Sequence, residues 1–109
     1  MNISYEEFAK LEIRIGTIVS VALVEGADRL LQLKVDVGEE TPRQIISGIR
    51  EFFVDPQVLV GRQCPFLLNL EPRMIRGLES QGMILAGGEG ATFTLLHPET
   101  AVPQGTVIH

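Results

Sequence analysis

The side chains best suited to chemistry in this 109-residue sequence lie in one stretch between positions 69 and 83. Its arginines, Arg73 and Arg76, carry planar guanidinium groups that can bind a phosphate through two parallel hydrogen bonds. Amide and hydroxyl side chains can read base edges or a ribose 2′-hydroxyl, and methionine offers an adaptable apolar surface for a base. The stretch supplies such side chains at Asn69, Ser80, Gln81, Met74 and Met83. These residue types together favour contact with RNA.

The sequence gives little support to catalysis or to a metal site. Cys64 is the single cysteine, so an intrachain disulfide and a multi-cysteine metal site are both excluded. His97 and His109 have no acid and nucleophile near them in the sequence. The glycine-rich run 87–90 lacks the Lys-Ser/Thr pair of a P-loop and is interpreted as a hairpin turn. We therefore expect no catalytic residue, no cofactor and no metal, and we expect that the chain is not an enzyme.

Composition predicts one folded domain over residues 1–109 in the cytoplasm. The chain is 45% hydrophobic, which is too apolar for a disordered protein. It has neither the pattern of a signal peptide nor an apolar run long enough to span a membrane. A net charge of −5 argues against non-specific binding to nucleic acid or to anionic membranes. Residues 29–76 nevertheless hold seven basic and six acidic side chains, so an acidic chain can still present a local basic surface.

The elements that must position these side chains begin with a short helix and a long strand. Ser4 and Glu7 form a capping box that predicts a helix over about 5–10, with Phe8 and Leu11 buried. Residues 13–23 then alternate between apolar and other side chains, which indicates a half-buried strand with one inward face. Gly16 inside this strand suggests a bulge or a bend.

The rest of the chain predicts four further barrel strands and two weaker strands. A strand over 31–37 is followed by a hairpin loop at 38–42 and a short strand at 43–47. Asp55 and Pro56 begin a short helix that ends at Gly61. Strands at 63–70 and 81–86 flank a loop at 71–79, and weaker strands follow at 92–96 and near 106–108. This order predicts an all-β, five-stranded OB-fold barrel with a short N-terminal helix and a short helix between strands three and four, although other small barrels share much of the pattern.

Two motifs carry a resemblance to a known family. Asn69-Leu-Glu-Pro-Arg73 followed by Gly77-Leu-Glu-Ser-Gln-Gly-Met83 resembles the signature of the tRNA-binding domain family. Members are found at the C-terminus of bacterial methionyl-tRNA synthetase, as stand-alone tRNA-binding proteins, and in auxiliary factors of eukaryotic synthetases. The segments 8–18, 27–38 and 43–49 are also similar to the family, so the resemblance covers nearly the whole chain.

The resemblance implies an OB-fold that binds the outer corner of folded tRNA by shape more than by sequence. It also implies a homodimer, built by the N-terminal helix and the segment after the barrel, and assistance to a methionyl-type aminoacyl-tRNA synthetase in cis or in trans. Matching positions make Arg29 and Lys34 flanking phosphate contacts. The expected tRNA contacts are Asn69, Arg73, Arg76, Ser80, Gln81 and Met83.

Alternatives remain for these assignments. Glu71 stands where the family usually has a basic residue, and one branch of the family consists of homodimeric, peptide-binding secretion chaperones. Asn69 and Ser80 can instead cap strand ends, and Gln81 can bond to the fourth strand. Met83 can belong to the core, and the charges of Arg73, Arg76 and Lys34 can simply be solvated. The apolar run 52–54 either plugs the barrel or, like Tyr5, Phe8 and Leu11, is covered by a partner.

Overall fold

One long strand organises the barrel in the computed structural model, which describes residues 1–109. This strand, β1 (Ile13–Leu23), pairs through its first half with β4 (Gln63–Leu67) and through its second half with β2 (Leu31–Asp36). The strand order is β3-β2-β1-β4-β7, all antiparallel, where β3 is Arg43–Ser47 and β7 is Met83–Ile84. The remaining elements are the helix α1 (Tyr5–Ala9), the strands β5 (Arg73–Ile75), β6 (Leu78–Ser80), β8 (Ala86–Gly87) and β9 (Thr94–Leu95), and 3₁₀ helices at Arg50–Phe52, Pro56–Leu59 and Gly90–Thr92. The predicted five-stranded, OB-like barrel is confirmed.

The inward face of β1 changes at a bulge between Ile18 and Ser20. Gly16 and Ile18 face the core before the bulge, and Val21 faces it after the bulge. Ile15 is buried on the opposite face, and Val19 is exposed. The predicted unbroken alternation over residues 13–23 is therefore wrong. A bulge adds one residue to one strand of the pair, so the side chains that follow it switch faces.

Gly16 is needed for close packing and not for the bulge. It lies in regular register with Cys64 of β4. A Cβ atom at Gly16 would lie 2.6 Å from Val35 Cγ1 and 3.0 Å from Phe66 Cδ1, inside normal van der Waals distance. The barrel wall is therefore packed directly against the backbone of β1 at this point.

The core follows the predicted pattern of the second strand. Leu31, Leu33 and Val35 are fully buried, and they pack with Ile45 and Phe66 from the neighbouring strands. Leu59 fills the core from the 3₁₀ helix that precedes β4. Asp55 caps this helix by accepting a hydrogen bond from the Gln57 amide, so the predicted short helix is present as a 3₁₀ helix over Pro56–Leu59.

Phe52 and Phe53 pack against the core, as the plug alternative describes. The rings of Phe52 and Phe93 are stacked with their centroids 4.0 Å apart, and Phe53 meets Phe93 edge-on. Phe93 lies between the last 3₁₀ helix and β9. The hairpin of β8 and β9 thus supplies one side of this aromatic cluster.

The two ends of the chain are less regular than the barrel. The Ser4 hydroxyl accepts a hydrogen bond from the Glu7 amide and starts α1, which ends at Ala9 without a buried residue. Phe8 is half-buried but Leu11 is exposed, so the predicted burial of Leu11 within the chain is wrong. Near the C-terminus, the predicted strand is a single bridge between Arg14 and Val107. No helix combines the length and the apolar composition needed to cross a membrane.

Replacing Gly16 by alanine is expected to destabilise the fold by about 1–3 kcal/mol, because the added methyl group overpacks the wall of the barrel. Urea unfolding followed by circular dichroism measures the change. Gly48→Ala is the matched control, since a Cβ there meets only Arg29 O at 3.9 Å. Equal stability of the two variants would contradict the packing argument.

Candidate RNA-binding surface

The polar stretch at 71–79, which was predicted to be a loop, forms a β-hairpin. Strands β5 and β6 pair with Ile75 opposite Leu78. The connecting residues Arg76 and Gly77 have φ angles of +52° and +78°. Positive φ at both central positions is the signature of the tight type I′ turn. The loop prediction is wrong because a type I′ turn usually has asparagine, aspartate or glycine at its first central position, where this chain has Arg76.

The tip of this hairpin reaches the loop between β1 and β2. Arg76 Nη2 donates a 2.9 Å hydrogen bond to the Gly26 carbonyl. Arg29 and Arg76 line one open cleft of about 320 Å³. Arg29 is exposed, and its side chain makes no hydrogen bond or salt bridge. The structure therefore brings together two predicted phosphate-binding side chains that are 47 positions apart in the sequence.

A second group of predicted residues lies on the flank of the hairpin. Arg73, Ser80 and Met83 line a small cavity of about 60 Å³, together with Ile46 and Glu71. Arg73 is exposed and has no ion pair. Met83 is also exposed, as is Met74 on β5, so Met83 is not part of the core. This flank combines a free guanidinium group with apolar surface, but it also carries the carboxylate of Glu71.

Asn69 ties the end of β4 to the segment before β1. Its Oδ1 accepts a hydrogen bond from the Glu12 amide at 2.8 Å, and its Nδ2 donates to the Lys10 carbonyl at 2.6 Å. Both ends of the amide group are thus engaged within the chain. The side chain is nevertheless exposed, and its contact with RNA stays a prediction.

Ser80 and Gln81 bind the third strand rather than the fourth. Ser80 is only 5% exposed, and its Oγ accepts a hydrogen bond from the Ile46 amide and donates to the Gly82 carbonyl. Gln81 Oε1 accepts from the Gln44 amide at 2.8 Å, and the Gln81 amide donates to the Gln44 carbonyl at the same distance. These bonds close the barrel between β3 and β7, which do not pair directly. They also explain why the predicted strand at 81–86 is shorter, since Gln81 is bonded to β3.

Lys34 lies on the outer side of the β2–β3 pair. Its Nζ donates a 2.9 Å hydrogen bond to Gln44 Oε1, which also accepts from Gln32 Nε2. Sequence reasoning missed Gln44 and Gln32, because alternating polar residues on a strand do not indicate which of them bond to a distant loop. Lys34 is half-buried, and its partner Gln44 also bonds to Glu79 of the hairpin, so Lys34 lies near the hairpin.

Arg43 is the second residue that sequence reasoning missed. Its guanidinium group pairs with both carboxylate oxygens of Glu39 and donates to the carbonyls of Leu68 and Gln81. The hydrogen bonds from Arg43 hold the pKa of the Glu39 carboxyl below its usual value. Arg43 therefore joins the β2–β3 loop to both ends of the segment that contains the hairpin.

The remaining reactive side chains do not form a catalytic group. Burial raises the pKa of the Cys64 thiol to about 11, so the thiol stays protonated at neutral pH. His97 Nδ1 lies 2.8 Å from the Gln63 carbonyl and 3.8 Å from the Cys64 sulfur. A buried, neutral thiol is a poor nucleophile, and Cys64 is best described as a small core residue.

An OB-like barrel whose β5–β6 hairpin and β1–β2 loop bring two arginines to one cleft resembles in architecture the barrels that bind oligonucleotides or oligosaccharides. The family model described as "Putative tRNA binding domain" matches residues 13–107. The chain therefore belongs to the tRNA-binding domain family, which is a non-catalytic binding module.

The most similar relatives include methionyl-tRNA synthetases. The methionine–tRNA ligase of Methanococcoides burtonii is 46% identical over 108 residues, and that of Methanospirillum hungatei is 50% identical over 107 residues. Each match covers 98% of this chain, and the chain spans 16% of the length of either ligase.

Two solved structures share the whole fold. A protein from Pyrococcus horikoshii, described as related to methionyl-tRNA synthetase, has a TM-score of 0.91 at 28% identity, with 100% of this chain and 99% of that chain covered. The chaperone CsaA from Bacillus anthracis has a TM-score of 0.88 at 28% identity, and the match covers all of both chains.

Ser80→Ala is expected to lower the free energy of unfolding by about 1–3 kcal/mol, because the buried Ile46 amide loses its acceptor. Ser20→Ala is the control, since Ser20 is exposed on β1 and its hydroxyl makes no hydrogen bond. Urea unfolding of both variants checks the difference. If the two alanine variants have the same stability, Ser80 does not close the barrel.

Proposed function

We propose that this chain binds folded tRNA without catalysing a reaction, and recognises its shape more than its sequence. In this role it assists a methionyl-type aminoacyl-tRNA synthetase, either as part of the synthetase or as a separate protein. The observation that carries the proposal is the cleft that Arg29 and Arg76 share, with Arg73 exposed on the same hairpin. Membership of the tRNA-binding domain family supports it.

The arginines of this surface suit a phosphate backbone, and in the cleft they outnumber the one carboxylate, that of Asp28. Arg76 uses one of its five N–H donors on Gly26, which leaves the others for a ligand. Arg29 and Arg73 are exposed and unpaired, so a phosphate group would displace only water from them. Fixed cations at a few points read the path of a backbone and not the bases, which is recognition by shape.

The cytoplasm is the proposed location, and one domain over residues 1–109 is the proposed unit. The unpaired Cys64 is compatible with a reducing compartment. Binding of tRNA and a synthetase partner also requires this compartment. Asn69, Ser80 and Gln81 support binding through the fold, while Lys34 and Met83 adjoin the hairpin that carries the arginines.

Arg76→Ala and Arg73→Ala are each expected to weaken tRNA binding and to reduce the salt dependence of log K by roughly 0.7–0.9, the value for one lost phosphate contact. Fluorescence anisotropy with unfractionated tRNA between about 50 and 200 mM salt measures both quantities. Arg62→Ala is the matched control, because Arg62 is an exposed arginine at the start of β4, outside the cleft and the hairpin. If all three variants lose the same affinity for tRNA, the RNA-binding surface does not lie at the cleft and the hairpin.

A second candidate function is peptide binding, as in a chaperone. The likeness to CsaA favours it, as do the exposed apolar side chains of Leu70, Met74 and Met83 near the hairpin. Apolar peptide binding is insensitive to salt or is strengthened by it, whereas phosphate binding weakens steeply. No binding of tRNA at about 50 mM salt would overturn the tRNA proposal and favour the peptide.

A homodimer is part of the proposed function. The apolar side chains of Ile3, Tyr5 and Leu11 are exposed on and around α1, and Tyr5 is 74% exposed. A helix of five residues is not stable alone, so a covering surface would stabilise it. Two copies would also double the RNA-binding surface, and avidity would offset weak single contacts.

Light scattering is expected to give twice the chain mass of 12.0 kDa. Leu11→Glu should shift the mass toward a single chain, because a charge would be buried at the interface. Val54→Glu is the control, since Val54 is fully exposed between two 3₁₀ helices, away from α1. A mass near that of a single chain for the unsubstituted protein would contradict the proposed dimer.

A further inference from the structure

Gln44 is the point at which the β2–β3 pair is joined to the hairpin. Its side chain makes three hydrogen bonds, two received by Oε1 from Gln32 and Lys34 and one donated by Nε2 to the Glu79 carbonyl. Its backbone exchanges two more with Gln81, one through the main chain and one through the side-chain Oε1 of Gln81. One residue thus contacts both β2 and the segment 79–81.

The chemistry of its neighbours orients the Gln44 amide group. A lysine ammonium can only donate a hydrogen bond, so Lys34 requires the amide oxygen on its side. A carbonyl can only accept, so the Glu79 carbonyl requires the amide nitrogen. A carboxylate would repel the Glu79 carbonyl, and an apolar side chain would lose all three bonds. Glutamine satisfies both partners at the same time.

The hairpin needs such an external tie. Its strands β5 and β6 have three residues each, and an isolated two-stranded hairpin is marginally stable in water. Its direction is therefore determined by its contacts with the barrel. Those contacts come from Arg43, Gln44 and Ile46 of β3, and Arg76 adds a distal contact with Gly26.

From these bonds we infer that Gln44 is a positioning residue for RNA binding. It holds β6 over β3 so that Arg73 and Arg76 face the same ligand as Arg29, and it also places Lys34 beside them. The inference rests on the proposed function for its RNA readout. Gln44 acts through the hairpin and does not need to touch the RNA.

Gln44→Met tests this role, because methionine keeps the length of the side chain and removes its three hydrogen bonds. Affinity for tRNA should fall about tenfold, which corresponds to the net contribution of one to two hydrogen bonds. The amides of Gln81 and Ile46 should exchange faster with solvent, while the Ile18 amide, bonded to the Arg62 carbonyl on the other side of the barrel, should be unchanged.

Gln63→Met is the matched control. Gln63 is also half-buried, and its side chain also makes three hydrogen bonds, but these join β4 to Thr17 and to the C-terminal segment at Val102. It should lose stability and keep its affinity for tRNA. A general loss of stability in Gln44→Met would instead accelerate exchange of all three amides together and leave the affinity of the folded protein unchanged, and this result would overturn the inference.

The double variant Gln44→Met/Arg76→Ala separates positioning from direct contact. If Gln44 acts through the hairpin, the double variant should bind tRNA only slightly less tightly than the single variant with the lower affinity. Fully additive losses would overturn the inference. If the unchanged protein does not bind tRNA, the proposed function fails, and amide exchange still decides whether Gln44 holds the hairpin.

Discussion

The structure depends on a barrel that is closed by side chains. Strands β3 and β7 form no ladder. Ser80 Oγ and the side-chain Oε1 of Gln81 accept hydrogen bonds in place of the missing backbone acceptors. Without them, β3 would be an open edge with unsatisfied amides at Gln44 and Ile46. The same two residues end the hairpin, so the bonds that close the barrel also fix the position of the arginines.

Charge on the surface is divided between structure and ligand. Arg43 is committed to Glu39 and to two carbonyls, which join three segments of the chain. Arg29 and Arg73 make no such contacts, and exposed charges of this kind contribute little to stability. Under the proposed function, their charges serve ligand binding rather than folding. An acidic chain with net charge −5 can in this way present a local cationic surface.

The sequence predicted those elements that local patterns determine. The strand at 31–36 alternates strictly, and the strand at 43–47 is bounded by Pro42 and Gly48. Asp55 with Pro56 marks a helix start, so these elements were predicted close to their true bounds. The bulge in β1 escaped prediction because Val19 is apolar although it is exposed. Nothing in the local sequence distinguishes it from a core residue.

The family motif named candidate site residues, but it did not show which residues of the chain they contact. The family motif pointed to Ser80 and Gln81, yet their partners on β3 are 34 and 37 positions away, and local spacing says nothing about so distant a contact. For the same reason, the sequence could not show that Asn69 fastens the end of β4, or that Gln44 joins β2 to the hairpin.

The backbone of Arg76 has a consequence for how this domain can change. Left-handed geometry at a residue with a Cβ costs roughly 1–2 kcal/mol, and asparagine or glycine would adopt it more easily. At this position, a residue that stabilises the turn removes a positive charge, and the arginine that supplies the charge destabilises the turn. Selection of variants for heat resistance alone would replace this arginine early. Under the proposed function, the resulting proteins would be more stable and would bind a polyanion less tightly.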